Sequence, residues 1–340
     1  MNEIHKKFQF CTKVDHHYLP QLLALYDSLC RTGTPFILNV LTLSERCEEQ
    51  LLGLSFDRMR IVPLQELLWH QPGLIEARKN RSLIEFYFSC TASLLNLLLG
   101  KVDDGELVTY LDADTYIFGD FELAFQLLHE ASIGIAPHRF HAKLQDREKY
   151  GKFNMGWVSL RRDPEGIACA KKWAELCVDW CYERLEDEKF ADQKYLNSWP
   201  KQYKSVKILE HPGLNCAPWN VEGAKLFSKG EKIQISGAPL IQYHFHGLKW
   251  IDSNLFKANL ERYIQKIPTG LSAIYIRYLQ AMVSMCQKYL PSYQPDWVRR
   301  DYERSSQNID KFCKKNKVWV RFSESNSRVA FRNPVFEIQS

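Results

Sequence analysis

The chain reads as an α/β protein: a mostly parallel central sheet with helices on both faces, followed by a C-terminal helical region. Three observations predict this. Strand-like and helix-like segments alternate from Phe8 to Leu99, as in a parallel sheet whose crossovers are helices. The 340 residues are 45% hydrophobic, enough for one long α/β domain plus an appendage. The apolar run Leu107-Val-Thr-Tyr-Leu111 leads straight into Asp112 and Asp114, and open sheets of this kind bind ligands beyond their strand C-termini.

The elements follow in order. Phe8 to Val14 is a first strand, and Leu19 to Cys30 a helix with Pro20 suited to its first turn. Phe36 to Leu43 is a second strand, Ser44 caps a short helix, and Arg60-Ile-Val-Pro63 is a third strand. The segment from Arg81 to Leu99 has the apolar spacing of a long helix, and the Asp112 strand follows the Asp103-Asp104-Gly105 turn. Ile133 to Pro137 and Phe153 to Leu160 are further strands. Asp163-Pro164 starts a helix that reaches about Tyr182, with Asp as cap and Pro in the first turn. From Lys201 to His246 the pattern is mixed, with short strands at Val206 to Leu209 and Leu240 to Tyr243. Beyond Ile251 it is helical to about Lys317, interrupted at Pro268-Thr-Gly270 and from Pro291 to Pro295. Residues 1–250 thus form the main domain and 251–340 a basic helical region.

Composition excludes several classes. There is no apolar run of bilayer-crossing length and no N-terminal apolar segment, so a cytoplasmic protein is expected, and Asn80-Arg81-Ser82 is a chance sequon. Ten irregularly spaced cysteines without a Cys-x-x-Cys pair fit reduced, packed thiols better than a disulfide scaffold or structural zinc. Cys177 and Cys181 share a helical face, where packing is the plainer account. From Lys257 onward, 15 Lys and Arg face 7 Asp and Glu, a net of +8 against +5 for the whole chain. A basic surface with aromatic neighbours suits an anionic membrane, peripheral at the inner face; equally, its apolar stripe could pack on the sheet domain or a second subunit.

Two carboxylates two residues apart at a strand end can hold Mg²⁺ or Mn²⁺ and leave coordination positions for phosphate oxygens. That points to a nucleotide diphosphate. Asp192 stands near the start of a short helix, where capping is the plain alternative to chemistry. Arg78 and Arg81, before the long helix, could reach a phosphate with a planar fork. A nucleotidyltransferase or pyrophosphohydrolase would use the same Asp–metal–diphosphate geometry, but a Gly-rich phosphate loop is missing early in the chain. A nucleic-acid-binding role for the tail is weakened by the interleaved Asp296, Asp301, Glu303 and Asp310.

Five ordered segments over residues 8–250 resemble the retaining nucleotide-sugar glycosyltransferases of the glycogenin and bacterial lipopolysaccharide galactosyltransferase type, which have the GT-A fold. Tyr110-Leu-Asp112-Ala-Asp114-Thr115 is similar to that family's metal-binding DxD. Thr12, Asp15 and Tyr18 resemble its first loop, which implies a hold on the base with a stacked aromatic. Asn154-Met-Gly156 resembles the strand that lines the sugar pocket, and Asp192-Gln193-Lys-Tyr-Leu-Asn197 the segment whose Asp and Gln approach the donor sugar. His244-Phe-His246-Gly247-Leu-Lys249-Trp250 resembles the closing motif, in which His completes the metal shell and Lys meets the diphosphate. Here that motif is one residue short before Lys249 and lacks its proline, so His244 and His246 compete for the ligand role, with His244 keeping the His-to-Gly spacing.

The resemblance implies a metal-dependent transfer from a UDP- or GDP-sugar to a glycan or lipid-linked glycan, with retention. Asn215-Cys-Ala-Pro218-Trp219-Asn220 departs from the glycogenin pattern and is similar to sugar transferases of bacterial envelope-polysaccharide clusters. Trp157, Trp199, Trp219 and Trp250 lie in or beside these segments; flat aromatic faces suit sugar rings, and most such residues are core.

Overall fold

A computed structural model describes residues 7–252, 255–293, 319–323, 328–333 and 336–337. The central sheet is α/β and mostly parallel, as expected. Its strands are β1 (Phe8–Val14), β2 (Phe36–Thr42), β3 (Met59–Pro63), β4 (Leu107–Tyr110), β6 (Ile133–Pro137), β7 (Phe153–Arg161) and β8 (Val206–Ile208); a short strand outside this sheet, β5 (Thr115–Ile117), follows β4. They run in the order β3-β2-β1-β4-β7-β6-β8, with β7 alone antiparallel to its neighbours. β2 is buried at every position, as a strand covered on both faces must be.

The crossovers are helical: α1 (Leu19–Arg31), α2 (Glu45–Leu52), α3 (Leu64–His70), α4 (Gly73–Asn80), α5 (Leu83–Leu99), α6 (Glu122–Leu128) and α7 (Pro164–Asp179). The starts of α1, α2 and α7 follow from the residues read in the sequence, and that of α5 from a pair not read there. Pro20 sits in the first turn of α1, and Ser44 accepts from the Cys47 amide to cap α2. Ser82 and Glu85 form a capping box on α5, and Asp163 accepts from the Gly166 amide before Pro164 opens α7. The sheet splits the core into two layers. One packs α1, β5 and the C-terminal helix; the other packs α5 and α7.

After α8 (Trp199–Gln202) and β8 comes a small antiparallel sheet, β9 (Leu226–Lys229), β10 (Lys232–Ile235) and β11 (Ala238–Pro239), then β12 (Gln242–His244). Among the described residues beyond Ile251, the expectation of α-helix holds for α9 (Leu271–Tyr289). Before it, β13 (Lys249–Asp252) and β14 (Leu255–Lys257) form a hairpin that continues into β15 (Trp319–Ser323), β16 (Arg328–Asn333) and β17 (Phe336–Glu337). The β14–β15 partners lie some sixty residues apart, so no local period announces them. α9 buries Leu271, Ile274, Tyr275, Tyr278, Leu279 and Met282 and packs along α1. The basic residues Arg299, Arg300, Arg304, Lys311, Lys314, Lys315 and Lys317 lie outside the described residues. No helix among the described residues is long and apolar enough to cross a membrane.

Candidate active site

The parallel strands β1, β2, β3 and β4 all end at one cleft of about 1250 Å³, lined by Val14, Thr42, Pro63 and Tyr110 at their C-terminal ends. That volume exceeds the range of about 300–1,000 Å³ usual for a single small ligand.

β4 stops at Tyr110, and the chain turns through Asp112-Ala-Asp114 into β5. β5 pairs antiparallel with β12, in the register Thr115 opposite His244. The Phe245 amide also bonds the Asp114 carbonyl at 2.8 Å. This ladder brings two distant sequence motifs together. Alternation along the extended segment then sends His244 and His246 to one side and Phe245 to the other. Phe245 is buried and stacks on Tyr278 of α9 with centroids 3.7 Å apart, so the C-terminal helix braces the histidine strand from behind.

Asp114, His244 and His246 present ligand atoms all within 4.8 Å of one another. Both histidines therefore reach this cluster. Asp114 Oδ1 lies 3.0 Å from His244 Nε2, and Asp112 Oδ2 lies 3.8 Å from the same nitrogen. Burial opposes charge on Asp114, yet the His244 imidazole beside it holds its carboxyl below the usual range. His244 responds in the opposite sense: burial works against its charged form, and the Asp114 carboxylate overrides this and raises it. His246 is lowered by burial and by its cationic neighbour His244.

The tautomer of His244 is set from β7. Between β6 and β7 the ladder moves from Ile135–Val158 to Ala136–Asn154, so residues 155–157 stand in a bulge. Within it, Asn154 Oδ1 accepts from the Gly156 amide at 2.6 Å and lies 3.3 Å from His244 Nδ1. With Nδ1–H donating to that oxygen, Nε2 faces the carboxylates. Asn154 Nδ2 donates to His138 Nε2 at 3.2 Å; burial pushes His138 down to about 3, so it stays a neutral acceptor. Gly156 has no substitute here: a Cβ would sit 2.5 Å from Asn215 Oδ1 and 2.6 Å from Asn154 Oδ1. Trp219, from the Asn215–Asn220 segment, packs edge-on against His244 and His246 at 5.3 and 5.5 Å.

Asp192 and Gln193 also line the cleft. Asp192 caps nothing: Gln193 occupies the cap position of the short helix Lys194–Ser198, and its side chain makes no cap bond. The Asp192 carboxyl is buried. Burial raises it, Lys13 pulls it back down, and Asp112 raises it again. Gln193 Nε2 donates to the Tyr150 carbonyl at 3.0 Å.

At the other end of the cleft, Asp15 accepts from the His17 amide at 3.0 Å, fixing a turn that carries Tyr18 into the cleft. Tyr18 is raised by burial and by Asp114, Asp15 and Asp112, so its hydroxyl stays protonated.

Four sequence candidates sit elsewhere. Thr12 is wholly buried in β1 and is not among the residues that line the cleft. Arg81 does not reach the cleft, because its guanidinium is committed to the end of α7, donating to the Cys177 and Val178 carbonyls at 2.7 and 2.6 Å. Arg78 lines the cleft instead. Lys249 lies on β13 and is likewise absent from the lining; its backbone pairs with Lys257. Gly247 shapes the turn after His246 with φ +75°, and a Cβ there would meet Asn259 Nδ2 at 2.7 Å.

Sequence reasoning missed Lys13, Tyr110, Thr91 and His138. A signal existed for the first: a lysine flanked by buried residues near the end of a central parallel strand requires partners.

No protein-family model matches the chain. It is 27% identical over 297 residues to the uncharacterized protein YfnD of Bacillus subtilis (strain 168), covering 86% of this chain and 94% of that one. Among solved structures, an active-site mutant of LgtC is similar with 17% identity and a TM-score of 0.47, over 71% of this chain and 88% of that one. The apo form of mouse xyloside xylosyltransferase 1 is similar with 13% identity and a TM-score of 0.44, over 71% of this chain and 98% of that one. With both TM-scores below 0.5, the activity has to be read from the cleft itself.

Proposed function

We propose that the protein is a metal-dependent glycosyltransferase that moves a sugar from a nucleotide diphosphate donor to a hydroxyl of a glycan or lipid-linked glycan, with retention. The observation that carries this reading is the convergence of Asp112, Asp114, His244 and His246 at the C-terminal ends of a parallel sheet, in one cleft with the buried Asp192 and the half-buried Gln193.

The residues fit a divalent cation. Asp114, His244 and His246 offer one carboxylate and two imidazoles, and Asn154 aims the lone pair of His244 inward. Imidazole ligands favour Mn²⁺ over Mg²⁺, which prefers an all-oxygen shell. When bound, the cation supplies Lewis-acid counter-charge to a leaving diphosphate.

The protein's own groups do the rest. Tyr18 and Asp15 hold the base at one end of the cleft, and Arg78 adds a planar fork for phosphate oxygens. Asp192, its cap role excluded, faces the sugar with a fixed carboxylate that stabilises positive charge at the reacting carbon. Gln193 orients sugar hydroxyls. Trp219, Tyr263 and Phe140 wall the acceptor side with flat faces that exclude water.

A thermal-shift panel of UDP- and GDP-sugars with and without Mn²⁺ tests the reading, because a ligand that binds only the folded state raises its melting point. At least one donor should raise Tm with Mn²⁺ and fail to do so in EDTA. A shift independent of metal for every donor would overturn the metal assignment.

A further inference from the structure

We infer that Lys13 is a positioning residue that sets the orientation of the Asp112 carboxylate through the buried Tyr110 hydroxyl. The inference rests on the reading of Asp112 as metal-side.

Lys13 is the penultimate residue of β1 and reaches the cleft floor. Its ammonium donates to Thr91 Oγ1 at 2.6 Å and to the Tyr110 hydroxyl at 2.8 Å, and lies 4.9 Å from the Tyr110 ring centroid. An ammonium only donates, and a hydroxyl carries a single proton. Each hydroxyl must therefore accept from Lys13 and turn its own proton away from it. The Tyr110 proton goes to Asp112 Oδ1 at 2.9 Å. Thr91 and Tyr110 are both buried, so water does not offer them other partners.

Asp112 thus has Oδ1 tied to Tyr110, which leaves Oδ2 facing His244 Nε2 at 3.8 Å. One cation, acting through one hydroxyl, decides which oxygen Asp112 turns to the imidazoles.

The relay is read on the full-length protein by titrating Mn²⁺ alone in a calorimeter, beside the melting temperature. Tyr110→Phe should weaken Mn²⁺ about tenfold, the loss typical of a residue that orients a metal ligand. Lys13→Met should weaken Mn²⁺ to the same extent, and adding Tyr110→Phe to it should weaken Mn²⁺ no further. If Lys13→Met lowers Tm but keeps wild-type Mn²⁺ affinity, the inference is overturned while the site reading stands. If the wild-type protein itself fails to bind Mn²⁺, the site reading and the inference fall together. Should Lys13→Met not fold, Tyr110→Phe decides: wild-type Mn²⁺ affinity in that variant overturns the inference.

Discussion

Asp114 and Asp192 are carboxylates in the floor of the same cleft, and their surroundings differ. Asp114 faces two imidazoles with a second carboxylate, Asp112, 3.8 Å from the nearer ring, a set of donor atoms converging on one point. Asp192 is buried, which raises its carboxyl, and the charge of Lys13 opposes that rise. Under the proposed function the first arrangement would take up a cation from solution, an exchangeable, strongly polarising charge for a diphosphate, and the second would present a fixed carboxyl to the sugar.

The largest effect should fall on the first centre. Asp114→Asn is expected to lower turnover on the order of a hundredfold to a thousandfold and to weaken Mn²⁺ binding in parallel, with the melting temperature close to wild type. Steady-state kinetics with Mn²⁺ titration measures both; full activity in excess EDTA would erase the contrast between the centres. At the second centre, Asp192→Asn should lower kcat about a hundredfold with donor KM and Mn²⁺ affinity nearly unchanged, since its role is confined to the transition state. A rise in donor KM with kcat preserved would make Asp192 a binding group.

Smaller effects sharpen the comparison from the scaffold. Gly156→Ala places a methyl group 2.5 Å from Asn215 Oδ1 and 3.1 Å from His244 Nδ1, so stability should fall by about 1–3 kcal/mol and Mn²⁺ should bind more weakly. Denaturant unfolding and calorimetry report the two together. Arg81→Met should cost about 2 kcal/mol, because its guanidinium holds the last carbonyls of α7, and should leave donor KM untouched. A raised KM in that variant would return Arg81 to the phosphate.

How much of this was legible in the sequence divides along the same line. Much of the sheet and its helices announced itself through local periods and caps: Ser44 and Asp163 each start the helix that their side chains imply. The carboxylate pair was legible because an apolar strand ended on it. The joining of Asp114 to His244 was not derivable from spacing, since it depends on β5 pairing with β12 across more than a hundred residues. Arg81 and Arg78, three residues apart, were indistinguishable as text; only the position of α7 decides which one is occupied. The strands around α9 were misread as helix because their partners lie far downstream. The Lys13 network was hidden for the same reason, with Thr91 on a helix and Tyr110 on another strand.

Product analysis of the wild-type protein tests the central claim most directly. Incubated with Mn²⁺ and the donor that stabilises it most, the protein should release nucleoside diphosphate and free or transferred sugar, because the bond that breaks is the one between the sugar carbon and the diphosphate oxygen. Release of nucleoside monophosphate with sugar phosphate would contradict the account and make the same cluster of Asp112, Asp114, His244 and His246 a pyrophosphate-cleaving site.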